Sequence, residues 1–328
     1  MSSDHWHFRR VPFTQNTFAA MINGPSKSFT LFGPRRTGKT EWLRQDLGRL
    51  AADHYGHRVA YASLWETRTA PLNVLLYRLS EALQPRSWSE KVVSWAGALP
   101  IKARIKSPDG TAEVELDLTA EAQRPAPKDL LLLDSYCQAL ADTSQPAILM
   151  FDEFQELANH PDGPDISSAL RTALDTAGRG LVSIFTGSSM EGLKTMFSDR
   201  DAPFFNFATP IVLEPLGDGF LDHQIKAFRK SFARTLDPAT ARAQFEIVDG
   251  NPELFQRWLN ILGQNPNLSP EEATRLTDQQ FAVDQNYFSD WRRMSRAQRQ
   301  FLRLVADDTP GLFGTTGAEK IANWSPDH

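Results

Sequence analysis

Residues 28–40 read Ser28-Phe29-Thr30-Leu31-Phe32-Gly33-Pro34-Arg35-Arg36-Thr37-Gly38-Lys39-Thr40, and the chain runs on as EWLRQDLGRLAA with a helical pattern. A short apolar strand, a glycine-bounded loop and a helix in that order are the context in which GxxxxGK[ST] works as a phosphate-binding loop. Gly33 and Gly38 let backbone N–H groups curl around an anion, and the N-terminal end of the following helix adds a favourable dipole. The whole octet Gly33, Pro34, Arg35, Arg36, Thr37, Gly38, Lys39 and Thr40 is therefore expected to wrap the phosphates. Lys39 is placed to reach the β- and γ-phosphates and Thr40 to ligate Mg²⁺.

Working outward, short apolar runs alternate with longer helical patterns, which predicts an α/β fold with a parallel sheet covered on both faces. The strand candidates are SFTLF, HRVAYAS, AILMFDE, GLVSIFTGS and TPIVLEPL, near-continuously apolar as suits strands buried on both sides. One segment breaks the rhythm. LPIKARIKSPDGTAEVELDLT, residues 99–119, alternates apolar and charged residues around Pro-Asp-Gly and predicts an inserted β-hairpin. Lys102, Arg104 and Lys106 on one arm would face Glu113, Glu115 and Asp117 on the other. The apolar face, with Ile105 and Leu116, is expected to pack on its own chain, the rival being a protein interface. After Leu216 the pattern becomes helical only, punctuated at Asp237, Asn251, Asn265 and Ser269, each followed by proline. The expected division is a core over 1–215, a helical segment over 216–288 and a further segment over 289–328.

The 328 residues are 41% hydrophobic and 23% charged, enough to bury a large core. A formal net charge of −5 argues against a protein that coats nucleic acid with its whole surface and leaves room for a local basic patch. Cys137 is the single cysteine, so an intramolecular disulfide is excluded and a small buried core residue expected. No apolar stretch approaches a membrane span, and the expectation is a cytoplasmic chain.

ILMFDEFQEL puts Asp152 and Glu153 at the end of an apolar strand, the sheet edge at which phosphates sit in parallel α/β folds. Asp152 would hold Mg²⁺ directly or through a water, and Glu153 would orient or deprotonate the attacking water. The same pair would also serve as helix N-terminal carboxylates. Thr186, Gly187, Ser188 and Ser189 end the next strand, where a hydroxyl, Ser188 foremost, could sense the γ-phosphate or cap a helix. Together the loop and acidic strand end point to ATP and Mg²⁺ as cofactors and to ATP hydrolysis.

GPRRTGKT, ILMFDEFQEL, SIFTGSSMEGL, TPIVLEPLG and DGNPELFQRWL together resemble the archaeal-type ATPase family, P-loop ATPases near the signal-transducing STAND class and allied to AAA+ proteins. The resemblance spans about residues 25 to 260. It implies a sheet of the additional-strand type with order 5-1-4-3-2, a helical lid and a winged helix, here only partial. It implies also that Gly250 and Pro252 form a lid motif closing over the nucleotide; the residues alone would equally make a helix end and a helix start. Relatives commonly carry Gly-Arg where this chain has Asn206 and Phe207, which leaves Arg200 as the substitute arginine finger or a solvated loop residue.

Near the C-terminus Arg292, Arg296, Arg299 and Arg303 recur at helical steps beside an apolar face, either a solvated stripe or partner contact, or a contact with a DNA backbone. The leading expectation is an ATP-driven switch whose lid closure controls a protein partner or self-association. The alternative is an AAA+-like ATPase assembling on DNA, in mobile-element or defence activity.

Overall fold

The computed structural model describes residues 5–33, 36–65, 69–84, 102–118, 126–187, 193, 196–284, 294–295, 298–299, 302 and 305. These divide into two compact units, the first 1–227 with 249–253 and the second 228–248 with 254–328.

The first unit is built on five parallel strands: β1 (Ser28–Phe32), β2 (Val59–Ser63), β5 (Ala147–Asp152), β6 (Leu181–Gly187) and β7 (Thr209–Val212). Their spatial order is β2-β5-β6-β1-β7. Counted among the parallel strands alone this is 5-1-4-3-2, as the resemblance implied. The near-continuous apolar runs follow from two separate cores. Along β5, Ala147, Leu149 and Phe151 join one cluster, while Ile148 and Met150 join the other. The first core is covered by α3 (Pro71–Leu83), α4 (Pro127–Ala141) and α5 (Gly163–Ala177); the second by α1 (Val11–Asn23) and the helix that starts at α2 (Lys39–Glu41). Beyond Glu41 that helix widens into π turns over Trp42–Leu47 and Leu50–His54.

β7 departs from the expectation of strands buried on both faces. Among the described residues it pairs with β1 alone and lies at the edge of the sheet, with Val212 78% exposed. Pro210 removes one donor there, a device that edge strands tolerate and central strands do not.

The inserted hairpin forms from β3 (Lys102–Lys106) and β4 (Glu113–Asp117), with Arg104 opposite Glu115 and Lys106 opposite Glu113. Lys102 Nζ reaches Glu115 at 3.1 Å. Gly110 takes φ 72°, which a residue with a Cβ resists. Donors from Ser107 and then Thr111 hold the exposed Asp109 carboxyl down at about 2, tying the turn together. The apolar face meets its own chain: Ile105, Leu116 and Leu118 are buried in the first core. Tyr136 Oη donates to Lys106 O at 2.5 Å and Asn73 Nδ2 to Asp117 O at 2.6 Å, anchoring the arms to α4 and α3.

Helix α4 buries Leu133, Tyr136, Cys137 and Leu140, a single stripe at helical spacing. Burial, with Asp134 adding to it, pushes the Cys137 thiol up to about 12.

The remaining helices are α6 (Asp218–Phe232), α7 (Pro238–Ile247), α8 (Pro252–Gln264) and α9 (Pro270–Asp284). Their starts follow from local chemistry. Asp237 caps α7 by accepting from Thr240 N at 2.9 Å, and Asn251 Oδ1 accepts from Glu253 N at 3.0 Å. Ser269 and Glu272 exchange reciprocal bonds of 2.9 and 3.2 Å, a capping box at the start of α9. Proline at the first turn loses no intrahelical bond. The second unit packs around Trp258, Phe255, Leu259 and Phe245, with Trp258 Nε1 donating to Pro270 O.

Replacing Ile105 and Leu116 by aspartate is expected to lower stability by at least about 3 kcal/mol, because each puts an unpaired charge in a filled core. Chemical denaturation of the pure protein measures this, and an unchanged midpoint would show that the hairpin does not depend on that packing.

Candidate nucleotide site

Strand periodicity explains why the acidic residue meets the loop. Asp152 continues the phase of Ile148 and Met150, so it points to the face covered by the helix that follows the phosphate loop. Tyr61 on β2 and Thr186 on β6 share that phase with Val59 and with Val182 and Ile184. Because β5 lies between β2 and β6, the three side chains converge.

Asp152 is 3% exposed and takes four donors. Thr40 Oγ1 and Tyr61 Oη donate to Oδ2 at 2.7 and 2.8 Å. Thr186 Oγ1 and the Glu153 N–H, the latter at 3.2 Å, donate to Oδ1. An ionised carboxylate offers about four lone-pair positions, so this one is filled. The bond from Thr40 crosses 112 positions of sequence and joins the phosphate loop to the acidic strand end.

Within the loop, Gly38 at φ 89° and Arg36 at φ 69° take the left-handed turn that brings the chain round before α2. Lys39 is 6% exposed, and its Nζ donates to Gly33 O at 2.8 Å, across the mouth of the loop. Arg36 Nε lies 3.3 Å from Glu253 Oε2, so the loop also meets the residue after Pro252. Asp249 and Gly250 both adopt left-handed φ, and Pro252 opens α8, so the helix-end and helix-start geometry is present at this motif.

Glu153 is 9% exposed and takes φ 54°, a strained backbone for a residue with a Cβ. Its neighbour Phe154 overrides that cost. The Phe154 ring is fully buried, 4.7 Å from Phe185 and 5.3 Å from Phe204 between ring centres, and fixes the chain immediately beyond the turn. Gln155 Nε2 donates to Glu153 Oε2.

Thr40 Oγ1 and Asp152 Oδ2 are hard oxygen donors whose 2.7 Å separation is close to the edge, about 2.9 Å, of an octahedron with the ligand distances of Mg²⁺. The donor set therefore fits that ion, with Lys39 and the loop N–H groups as the matching phosphate cradle.

Of the expected site residues, Gly33, Arg36, Thr37, Gly38, Lys39, Thr40, Asp152, Glu153 and Pro252 fall in the described first unit. Pro34, Arg35 and Ser188 lie outside the described residues, as do Arg292, Arg296 and Arg303. Arg200 is exposed on the loop between β6 and β7. Arg299 is half-buried, its Nε donating to Met294 O at 3.1 Å. Tyr61 and Gln155 are the residues that sequence reasoning passed over. Strand phase alone marks Tyr61, since it stands two residues before the end of β2 as Thr186 stands one before the end of β6.

No family model and no curated protein matches the sequence at a significant level. Solved structures do match. A Walker-type ATPase of Pyrococcus abyssi aligns with TM-score 0.60 and 18% identity over 92% of this chain and 80% of that one. The Aeropyrum pernix ORC2 protein, solved as ADPNP–ADP complexes, aligns with TM-score 0.52 and 16% identity over 92% and 74%. The ORC1 protein of the same organism, solved in complex with DNA, aligns with TM-score 0.50 and 15% identity over 92% and 72%. The fold is thus that of P-loop ATPases: a five-stranded parallel sheet flanked by helices, here with a hairpin inserted between α3 and α4.

Thr186→Val, which keeps shape and removes the hydroxyl, is expected to cost about 1.5–3 kcal/mol, the worth of a hydrogen bond to a charged group. Denaturant titration reads it; a difference below about 0.5 kcal/mol would mean that Thr186 does not support Asp152.

Proposed function

We propose that this chain is a Mg²⁺-dependent ATPase of the archaeal-type, AAA+-related group, in which nucleotide occupancy switches the helices beyond Leu216. The observation that carries the reading is the Thr40–Asp152 hydrogen bond, because it sets a phosphate-loop hydroxyl against an acidic strand end. On this reading Lys39 neutralises the β- and γ-phosphates, and the loop from Gly33 through Pro34, Arg35, Arg36, Thr37 and Gly38 wraps them. Thr40 and Asp152 hold Mg²⁺, which supplies charge neutralisation at the transferred phosphoryl group. Glu153 takes the proton of the attacking water. Ser188 senses the γ-phosphate, and Arg200 is the candidate finger for the developing charge.

The segment 216–288, whose described helices are α6 to α9, acts as the lid, with Gly250 and Pro252 at its entry; the winged-helix-like end expected over 289–328 lies almost wholly outside the described residues. The Arg36–Glu253 ion pair lies within the first unit and sets the phosphate loop against the residue after Pro252. Lid closure then controls a protein partner or self-association. A DNA-bound mode is the second reading, favoured by the arginine series ending in Arg299 and Arg303 and by the fold shared with an ORC1 protein solved on DNA. No described helix is long and apolar enough to cross a membrane.

Lys39→Ala is expected to weaken ATP binding about 100-fold, equivalent to about 3 kcal/mol of charge-assisted contact. Calorimetric titration of the folded variant tests it, and parent-level affinity would sink the assignment. Glu153→Gln is expected to bind ATP as the parent does and to lose turnover by about 100- to 10,000-fold. Phosphate release at the parent rate would remove Glu153 from the mechanism.

A further inference from the structure

Two residues beyond Glu153, the side chain of Gln155 turns back into the sheet edge and is 3% exposed. Its Nε2 donates to Glu153 Oε2. Its Oε1 is buried and has no hydrogen-bond partner among the described residues. The orientation of the amide is dictated by chemistry, because a carboxylate only accepts and the NH₂ end must face it. Oε1 is thereby turned toward the end of β6, where a methyl group on Gly187 would overlap it. Gly187 thus makes room for Gln155, and Phe154 and Leu157, both fully buried, fix the short helix that carries it.

Stability does not account for this arrangement. A buried acceptor without a partner costs about 1–3 kcal/mol, and a methionine of similar length would fill the same space without that cost. Glu153 is strained in the left-handed region at the same point. Two costly features within three residues, at the sheet edge that also carries Asp152, are the pattern of a site held in place for chemistry.

We propose that Gln155 is the positioning residue for Glu153: its amide holds the carboxylate in the orientation from which it meets the attacking water. The proposal rests on the reading of Glu153 as the base. Gln155 itself does not touch the nucleotide, and it acts only through its neighbour.

The test is Gln155→Met in the full chain, with steady-state and single-turnover ATP hydrolysis, ATP affinity and thermal midpoint measured together. Expected are a kcat reduced about 10-fold, an ATP dissociation constant within about twofold of the parent, and a midpoint equal to or above it. In a Glu153→Gln background the same substitution is expected to cause no further loss, since a residue acting through Glu153 has nothing left to position. Gln155→Asn, which keeps the amide and draws it back by one methylene, is read the same way should the methionine variant not fold. A parent-level or raised kcat overturns the proposal, as does a loss that recurs in full in the Glu153→Gln background or that appears as weakened ATP binding. Absence of hydrolysis by the parent chain overturns the ATPase reading and the proposal with it; hydrolysis that is indifferent to Gln155 overturns the proposal alone.

Discussion

A carboxylate sealed inside a protein is tolerable only when its lone pairs are filled, and Asp152 fills them from four places in the chain. Thr40 comes from the start of α2, Tyr61 from β2, Thr186 from β6, and the last donor is the backbone of Glu153. At 3% exposure these donors rather than water satisfy the carboxylate, and Mg²⁺ at Oδ2 would take the place of the Thr40 donor. The strand order is therefore tied to the chemistry: β5 must lie between the strands that carry the tyrosine and the threonine, and the loop-bearing helix must cover the same face. Because removing one donor leaves a buried charge undersatisfied, the site and the sheet stand or fall together.

What could be read from the residues was what depends on neighbours in sequence. The loop glycines with Lys39 and Thr40, the Pro-Asp-Gly turn, and the caps at Asp237, Asn251 and Ser269 are local devices, and each forms as its residue types require. The acidic strand end was legible for the same reason. Tyr61 was not, because its significance depends on which strands become neighbours and in which phase, and that is settled by packing between distant segments; Gln155 was not, because its return to Glu153 two residues away follows from the left-handed turn at Glu153 and the room left by Gly187. TPIV looked like an inner strand for a related reason: apolar content does not say whether a second neighbour will be present, and Val212 is left exposed at the sheet edge. For the hairpin, the alternation showed an apolar face but not its cover, which proved to be the chain's own first core.

Left-handed backbone, which Asn206, Ala233 and Gly110 adopt elsewhere in the chain, also recurs at turns beside the site. Arg36 and Glu153 both adopt it on either side of the Lys39–Asp152 region, and Asp249 and Gly250 adopt it before α8. Each is flanked by a firm anchor: α2 after Arg36, the Phe154 ring after Glu153, and the Asn251 cap after Gly250. Local strain at these turns is thus carried by well-packed or well-capped neighbours, which is how a marginally stable molecule keeps unfavourable conformations where chemistry needs them.

Cys137 gives the molecule an unplanned property. It is the single thiol of the chain, sits at zero exposure between α4 and the sheet, and is held almost entirely protonated by its surroundings. Only the thiolate is a good nucleophile, so in the closed state the sulfur is silent toward alkylating reagents. Any labelling that does occur must pass through an opening of the layer that also seats the hairpin, so this one sulfur records how often the interior breathes.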